Sequence, residues 1–360
     1  MKKIVVVFGG ASVEHDVSII TGLQAINILK EEYEVLPIYL SLENRFFLTQ
    51  KTKPTDYFDK EEIKQSSIEI TFFNGQFLKI KNGKPKKLVP FDCVVNCCHG
   101  GVGENGELNA YFKLNNIKCT SADTLSSGVC LNKYFTKLIM KDIGVPTVDG
   151  VLVNQENIEK SIENIEKNLK NDLIVKPNSL GSSIGVVKTN QKDLKTCIKN
   201  ALQLDDEVLV ENCVNNMFEL NCACYKKDDN LVISQIEKVG DKKEILSFDD
   251  KYISKKEQRE IPAKIPKDLQ EEIIDYTKLI YKSLHLSGVI RIDYMYDKKN
   301  KKLYMNEINT IPGSLAFYLY QGLGINYAML CDDLINNCTT ERQQKYFESN
   351  ILSQTGLKVK

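Results

Sequence analysis

The run Ile4-Val5-Val6-Val7-Phe8, closed by Gly9-Gly10, is the feature that most narrows what this chain can fold into. Five successive apolar residues, mostly β-branched, suit a strand covered on both faces, as in a parallel sheet flanked by helices. Ile19, Leu23 and Ile26 then fall near one stripe of a helix, and Val35–Leu40 reads as the next strand. Strand, helix and strand in that order predict an α/β unit that binds its ligand in the crevice beyond the strand ends. The opening run is too short for a secretory leader, whose apolar region takes about 7–15 residues. Nothing reaches the roughly 18 apolar residues of a membrane span. A cytoplasmic protein with no membrane partner is expected.

The length of 360 residues predicts two or three domains. Residues 41–90 read as a hairpin-rich insertion, with Asn-Gly turns at Asn74-Gly75 and Asn82-Gly83. The strand Cys93–Cys98 resumes the first sheet. A second unit opens with a helix running from Ser126 or Ser127 to Ile143, ended by Gly144 and Pro146. Short strands and helices follow as far as Glu211. The third unit contains the charged stretch Lys238–Glu260, which reads as a long loop of the kind used as a lid. It also contains a helix at Leu269–Leu284 and two strands, Gly288–Tyr296 and Leu303–Asn309, joined by the polar turn Asp297–Lys301. The expected domains are therefore 1–124, 125–212 and 213–360.

Charge and thiols narrow the chemistry. Lys and Arg number 48 and so do Asp and Glu, so no global bias toward nucleic acid exists. The eleven cysteines include no C-x-x-C pair and only three histidines accompany them, which supports a zinc site poorly. Buried, reduced thiols acting as small hydrophobes explain them better.

Four segments carry chemistry. Gly101-Val102-Gly103-Glu104-Asn105-Gly106 matches the dinucleotide pattern G-x-G-x-x-G, but it follows the third strand of its unit and carries an acid that would repel a pyrophosphate. A turn that brings His99 and Glu104 to another site is the better reading. The Gly/Ser-rich loop from Lys176 to Gly185 has the donors and the lysine to cradle phosphate, and it equally fits a plain hairpin loop. Alternation puts Arg291 and Asp293 on one face of their strand, and Glu307 and Asn309 on one face of the partner. If the faces coincide, two carboxylates and an amide oxygen select Mg²⁺ or Mn²⁺. A surface ladder of charges is the competing reading. Finally, Glu14 lies in the loop between the first strand and first helix, where it suits either a cationic ligand group or the helix dipole.

In order along the chain, these residues resemble the D-alanine–D-alanine ligases of the ATP-grasp superfamily. The motifs run through Phe8-Gly9-Gly10 with Ser12 and Glu14, His99-Gly100 with Gly103-Glu104, Asn132-Lys133, Lys176-Pro177 with Gly181-Ser182-Ser183, Lys251-Tyr252, Arg291-Ile292-Asp293, and Glu307 with Asn309-Thr310 and Pro312-Gly313. The resemblance implies a Rossmann-like N-terminal domain followed by two ATP-grasp α+β domains. It implies that ATP phosphorylates one D-alanine and that a second attacks the acyl phosphate, in peptidoglycan precursor synthesis, by a homodimer.

By the same resemblance, Lys133 and Lys176 hold the α/β-phosphates with Ser183, and Lys251 reaches the γ-phosphate. Glu211 and the residues after it meet the adenine, and Glu219 the ribose. Asp293, Glu307 and Asn309 bind two Mg²⁺ ions. Glu14 takes the first substrate's ammonium and His99 lies near that substrate. Ser182 and Tyr252 link Glu14 to the closing loop, while Arg291 and the Gly313 amide stabilise the oxyanion. Tyr318 stands where the family usually has a serine that contacts the acceptor's carboxylate, and Asn105 replaces an aspartate. A D-serine or other amino-acid acceptor is the alternative; Tyr252 in place of histidine argues against a D-lactate ester. The glycine match alone motivates an NAD-dependent oxidoreductase, and a silent nucleotide-binding scaffold conflicts with the full set of charged residues.

Overall fold

The computed structural model describes residues 1–57, 59–239 and 259–338. Strand β1 (Lys3–Gly9) pairs parallel with β2 (Glu34–Leu40) on one side and with β7 (Cys93–Asn96) on the other. Ile4 to Phe8 are fully buried, which is what an uninterrupted apolar run requires. The helix His15–Leu29 packs Ile19, Leu23 and Ile26 into the same core as Phe8. Gly22 permits the close approach, since a Cβ there would lie 2.3 Å from Phe8 Cβ.

The insertion extends this sheet with antiparallel strands β3 (Phe46–Leu48), β4 (Ile68–Phe73), β5 (Gln76–Lys81) and β6 (Lys84–Pro90). The strand order is β6-β5-β4-β3-β2-β1-β7. Both Asn-Gly pairs form the expected hairpin turns, with positive φ at Asn74, Gly75, Asn82 and Gly83. The helix Lys60–Ser66, absent from the sequence reading, is capped by the Asp59 carboxylate, which accepts from the amides of Glu61 and Glu62.

The single helix expected up to Ile143 is two helices, Thr124–Leu131 and Lys133–Asp142. Asp123 caps the first, in place of a serine. Asn132 leaves helical geometry at ψ 101°, and its side chain accepts from Phe135 N to cap the second. The break lets Lys133 N donate to Asn178 O at 3.1 Å, tying the second helix to the loop that follows β9 (Leu173–Pro177). That strand belongs to an antiparallel sheet with β8 (Gly150–Asn154), β10 (Val187–Thr189) and β11 (Glu207–Asn212), in the order β10-β9-β11-β8. The helices Ile158–Asn168 and Leu194–Ala201 close its core.

The third sheet is antiparallel and contains β12 (Met217–Lys227), β13 (Asn230–Ile233), β14 (Glu237–Val239), β15 (Ile290–Asp297) and β16 (Lys302–Asn309). Ile290, Ile292 and Tyr294 are fully buried in the core shared with the helix Lys267–Ser283, so Arg291 and Asp293 face the other way. The charged stretch read as a loop begins in strand: Lys238 and Val239 belong to β14, and Glu260 bridges back to Lys238. Residues 240–258 lie outside the described residues.

One buried cluster joins the chain's two halves. It contains Phe8, Ile19 and Leu23 together with Ile311, Leu315 and Ala316 after β16, and Leu330 from the helix Tyr327–Asn337. The loops after β1, β7 and β16 therefore meet at its edge. Among the described residues, no helix is long and apolar enough to cross a membrane.

Candidate active site

Strand register lays a polar row across the third sheet. Glu237 faces Asn221, Asn221 faces Asp293, and Asp293 faces Glu307; one step along, Arg291 faces Asn309. The two faces inferred from alternation thus coincide. Arg291 grips Asp293 with two hydrogen bonds, and Asn309 Nδ2 donates to Asp293 Oδ2 at 3.1 Å. The register then shifts, leaving Asn306 as the extra residue of a bulge. Its Oδ1 accepts from Lys176 Nζ at 3.2 Å.

Two cavities flank this row. The larger holds about 350 Å³ and is lined by Glu14, His99, Glu104, Arg291, Gly313 and Tyr318 among others. The smaller holds about 130 Å³ beside Lys133, Lys176, Ser183 and Glu211. Asp293, Glu307 and Glu219 line both. A cavity of about 680 Å³ against the helix Tyr327–Asn337 includes none of these residues.

In the larger cavity, Ser182 Oγ donates to the Glu14 carboxylate. Glycines on either side leave room for this carboxylate: a Cβ at Gly100 or Gly181 would lie 2.8 Å from Glu14 Oε2. Ser182 and Ser183 both have left-handed backbone, at φ 54° and 57°. Glu104 is buried and accepts from Gly100 N at 2.7 Å, Ile311 N at 2.7 Å and Thr310 Oγ1 at 3.3 Å. The glycine-rich turn thus clamps the segment after β16, as a turn serving another site would. Burial, with Glu14 nearby, pushes the Glu104 carboxyl up to about 7. Burial pushes His99 down to about 4, so its ring is neutral. Asn105, in place of the family's aspartate, accepts from Glu107 N at the start of the next helix.

In the smaller cavity, Lys133 Nζ donates to Leu180 O at 2.6 Å. Glu211 is buried between Lys176, at 2.6 Å, and Lys137. Burial opposes its ionisation, but the two ammonium groups hold its carboxyl below the usual value. Its side chain is therefore an internal counter-charge, and the residues that follow, Asn212 to Val214, line the cavity. The sequence reading missed Lys137, although it sits four residues beyond Lys133 on the same helix face.

Glu237 and Asn221 were also missed, although alternation from Glu219 puts Asn221 on the site face. Glu237 is 1% exposed. Its Oε2 accepts from Asn221 Nδ2 at 2.9 Å and from Tyr318 Oη at 3.3 Å, and Arg259 Nη1 lies 3.7 Å from Oε1. Between Gly313 and Tyr318, Ser314, Leu315 and Ala316 all have left-handed backbone, at φ 50°, 50° and 53°. That conformation costs L-residues roughly 1–2 kcal/mol each, so surrounding contacts must hold it. Lys251 and Tyr252 lie outside the described residues. Among the described residues, no group of three or more His, Cys, Asp or Glu forms a metal cage. Two carboxylates and an amide are instead an open hard-oxygen set, which suits a cation completed by water and phosphate.

A mixed-sheet domain built on parallel strands β1, β2 and β7, joined to two antiparallel sheets that enclose a lysine-lined cavity, is the architecture of the ATP-grasp ligases. Family models for the D-ala D-ala ligase N-terminus and C-terminus match residues 3–122 and 139–338. The D-alanine–D-alanine ligase of Thermosipho melanesiensis is 35% identical over 346 residues, covering 93% of both chains. Among solved structures, the D-alanine–D-alanine ligase from Helicobacter pylori superposes with a TM-score of 0.78 at 29% identity, over 94% of this chain and 100% of that one. The VanG D-Ala:D-Ser ligase from Enterococcus faecalis gives 0.79 at 27% identity, over 93% and 98%. The chain belongs to the D-alanine–D-alanine ligase family. The dinucleotide reading of the glycine turn is thereby set aside: its acid, Glu104, is used inside the fold, accepting from the amides of Gly100 and Ile311.

Proposed function

We propose that this chain joins two D-alanines at the expense of ATP, through an acyl phosphate, to supply peptidoglycan precursors. The observation that carries the reading is that Asp293 and Glu307 line both cavities. A nucleotide among the lysines of one has its terminal phosphate beside an amino acid in the other. The carboxylate oxygen of the first D-alanine attacks the γ-phosphorus and ADP leaves. The amine of the second, having lost a proton, attacks the acyl carbon; the C–N bond forms, the C–O bond to phosphate breaks and phosphate leaves.

Each residue has a part in this scheme. Glu14, oriented by Ser182, holds the first ammonium, with His99 on the cavity wall. Arg291 and the Gly313 amide meet the charge that grows on the acyl oxygen. Lys133, Lys176 and Ser183 hold phosphates, Glu219 the ribose and the segment from Glu211 the adenine; Lys251 serves the γ-phosphate, and Tyr252 acts with Ser182 on Glu14. Asp293, Glu307 and Asn309 would hold two Mg²⁺ or Mn²⁺ ions, which neutralise phosphate charge when bound. We place domain boundaries after residues 124 and 212, the compartment in the cytoplasm and the assembly as a homodimer. All eleven cysteines are free and seven are buried, which suits a reducing compartment.

A second reading, with D-serine or another amino acid as acceptor, is favoured by Tyr318, which stands in the place of the usual serine and donates to Glu237. One assay separates the two: ATP-dependent phosphate release with Mg²⁺ against a panel of D- and L-amino acids, with products identified by mass. Release with D-alanine alone and a D-alanyl-D-alanine product supports the first reading. A requirement for a second amino acid supports the other, and no release with any pair overturns both.

A further inference from the structure

Four hydrogen bonds form a directed chain from the first helix to the segment bearing Gly313. His99 Nδ1 lies 2.6 Å from Ile311 O, and its Nε2 lies 2.8 Å from Thr21 Oγ1. Ser314 N donates to Thr21 Oγ1 at 3.2 Å, and Ser314 Oγ donates to Gln24 Oε1 at 2.7 Å. A carbonyl only accepts, so Nδ1 carries the ring proton. Nε2 therefore accepts from the Thr21 hydroxyl, whose oxygen in turn accepts from Ser314. Every donor and acceptor is used once, and Thr21 is 1% exposed.

The segment so gripped is the strained one. Ser314 is the first of three successive left-handed residues between Gly313 and Tyr318. Thr21 meets its amide directly and fixes His99 against the carbonyl three residues earlier. We infer that Thr21 is a positioning residue that, through His99 and Ser314, holds the left-handed turn and so aims the Gly313 amide at the acyl oxygen and Tyr318 at the acceptor amino acid. The inference rests on the proposed function for its kinetic consequence and on geometry alone for the hydrogen-bond chain.

The test uses the full-length protein with Thr21→Val, which keeps the shape and removes the hydroxyl, and Thr21→Ser, which keeps the hydroxyl. Thr21→Val should raise the acceptor KM or lower kcat by about tenfold or more, with the KM for ATP within about twofold. Thr21→Ser should restore both. ¹⁵N-histidine NMR reads the chain without turnover: with only three histidines in the sequence, His99 should be resolved as the Nδ1–H tautomer, and its Nε2 signal should move in Thr21→Val. An Nε2–H tautomer in the parent protein overturns the inference. So do unchanged acceptor kinetics in Thr21→Val, or equal losses in both variants. If the parent protein makes no dipeptide while the NMR result holds, the proposed function has failed and the positioning chain has not.

Discussion

Arg291 and Asp293 stand two residues apart on one face of β15 and are locked together by both arms of the guanidinium, Nε to Oδ1 at 2.6 Å and Nη2 to Oδ2 at 2.8 Å. A divalent cation approaching Asp293 competes for the same two oxygens. Arg291 thus holds the carboxylate as its own counter-ion while still lining the larger cavity.

Arg291→Ala is therefore expected to tighten Mn²⁺ binding to the nucleotide-free protein on the order of tenfold, while turnover falls by about a hundredfold or more. Paramagnetic titration of Mn²⁺ measures the first effect. An unchanged affinity would show that the two do not compete. Glu307→Gln should abolish turnover by weakening the cation site, and near-normal activity at modest Mg²⁺ would contradict that role.

Glu104 and His99 give opposite pH dependences. Glu104 titrates at about 7 in the fold against an ordinary 4.5, so its contribution to stability is full below pH 4.5 and is lost as pH rises to about 7. His99 titrates at about 4 against 6.5, so its contribution is full above pH 6.5 and is lost as pH falls toward 4. Each amounts to about 3 kcal/mol, and between pH 4.5 and 6.5 they largely cancel. Glu104→Gln leaves His99 uncompensated. Urea unfolding should then show stability rising with pH across that window, by about 1.4 kcal/mol per pH unit relative to the parent. Parallel curves for the two proteins would refute the assignment.

Tyr318 is tied to the buried Glu237 by its hydroxyl, 3.3 Å from Oε2. Tyr318→Ser should change the acceptor KM more than that for ATP, and Tyr318→Phe, which keeps the ring, should show how much the hydroxyl contributes. An unaltered acceptor profile in both would mean that this side chain does not line the acceptor subsite.

Lys137 and Lys176 share the charge of Glu211 in a buried site. Lys137→Met should cost about 3–5 kcal/mol in denaturant unfolding, because it leaves part of that charge uncompensated. The double variant Lys137→Met, Glu211→Gln should recover most of the loss. If the two losses simply add, the side chains are not coupled.

Local pattern carried the sequence reading far. The apolar run of β1, the Asn-Gly hairpins and the alternation that turned Arg291 and Asp293 to one face are short-range consequences of strand geometry, and the structure has all three. The break at Asn132 was not legible, because helical residues lie on both sides of it. What ends the helix is a cap and a contact between Lys133 N and Asn178 O, 45 positions away. Glu237 and Asn221 went unread for a related reason: the part of an alternating polar residue depends on which strands lie beside it.

The sequence by itself determined most of the elements and the chemical inventory: parallel strands at the start, a Gly/Ser-rich loop behind a lysine, two strands with acids on one face and an acid at the head of the first helix. Those follow from residue type and spacing within a few turns of chain. Only the tertiary structure decided which charges are spent on one another. Glu211 is held by two lysines, Asp293 by Arg291, and Glu104 by amides on both sides of a seam between chain segments about 200 residues apart. Burial raises the energetic stake of every such pairing, and burial is set by the packing of distant segments, which no local pattern encodes.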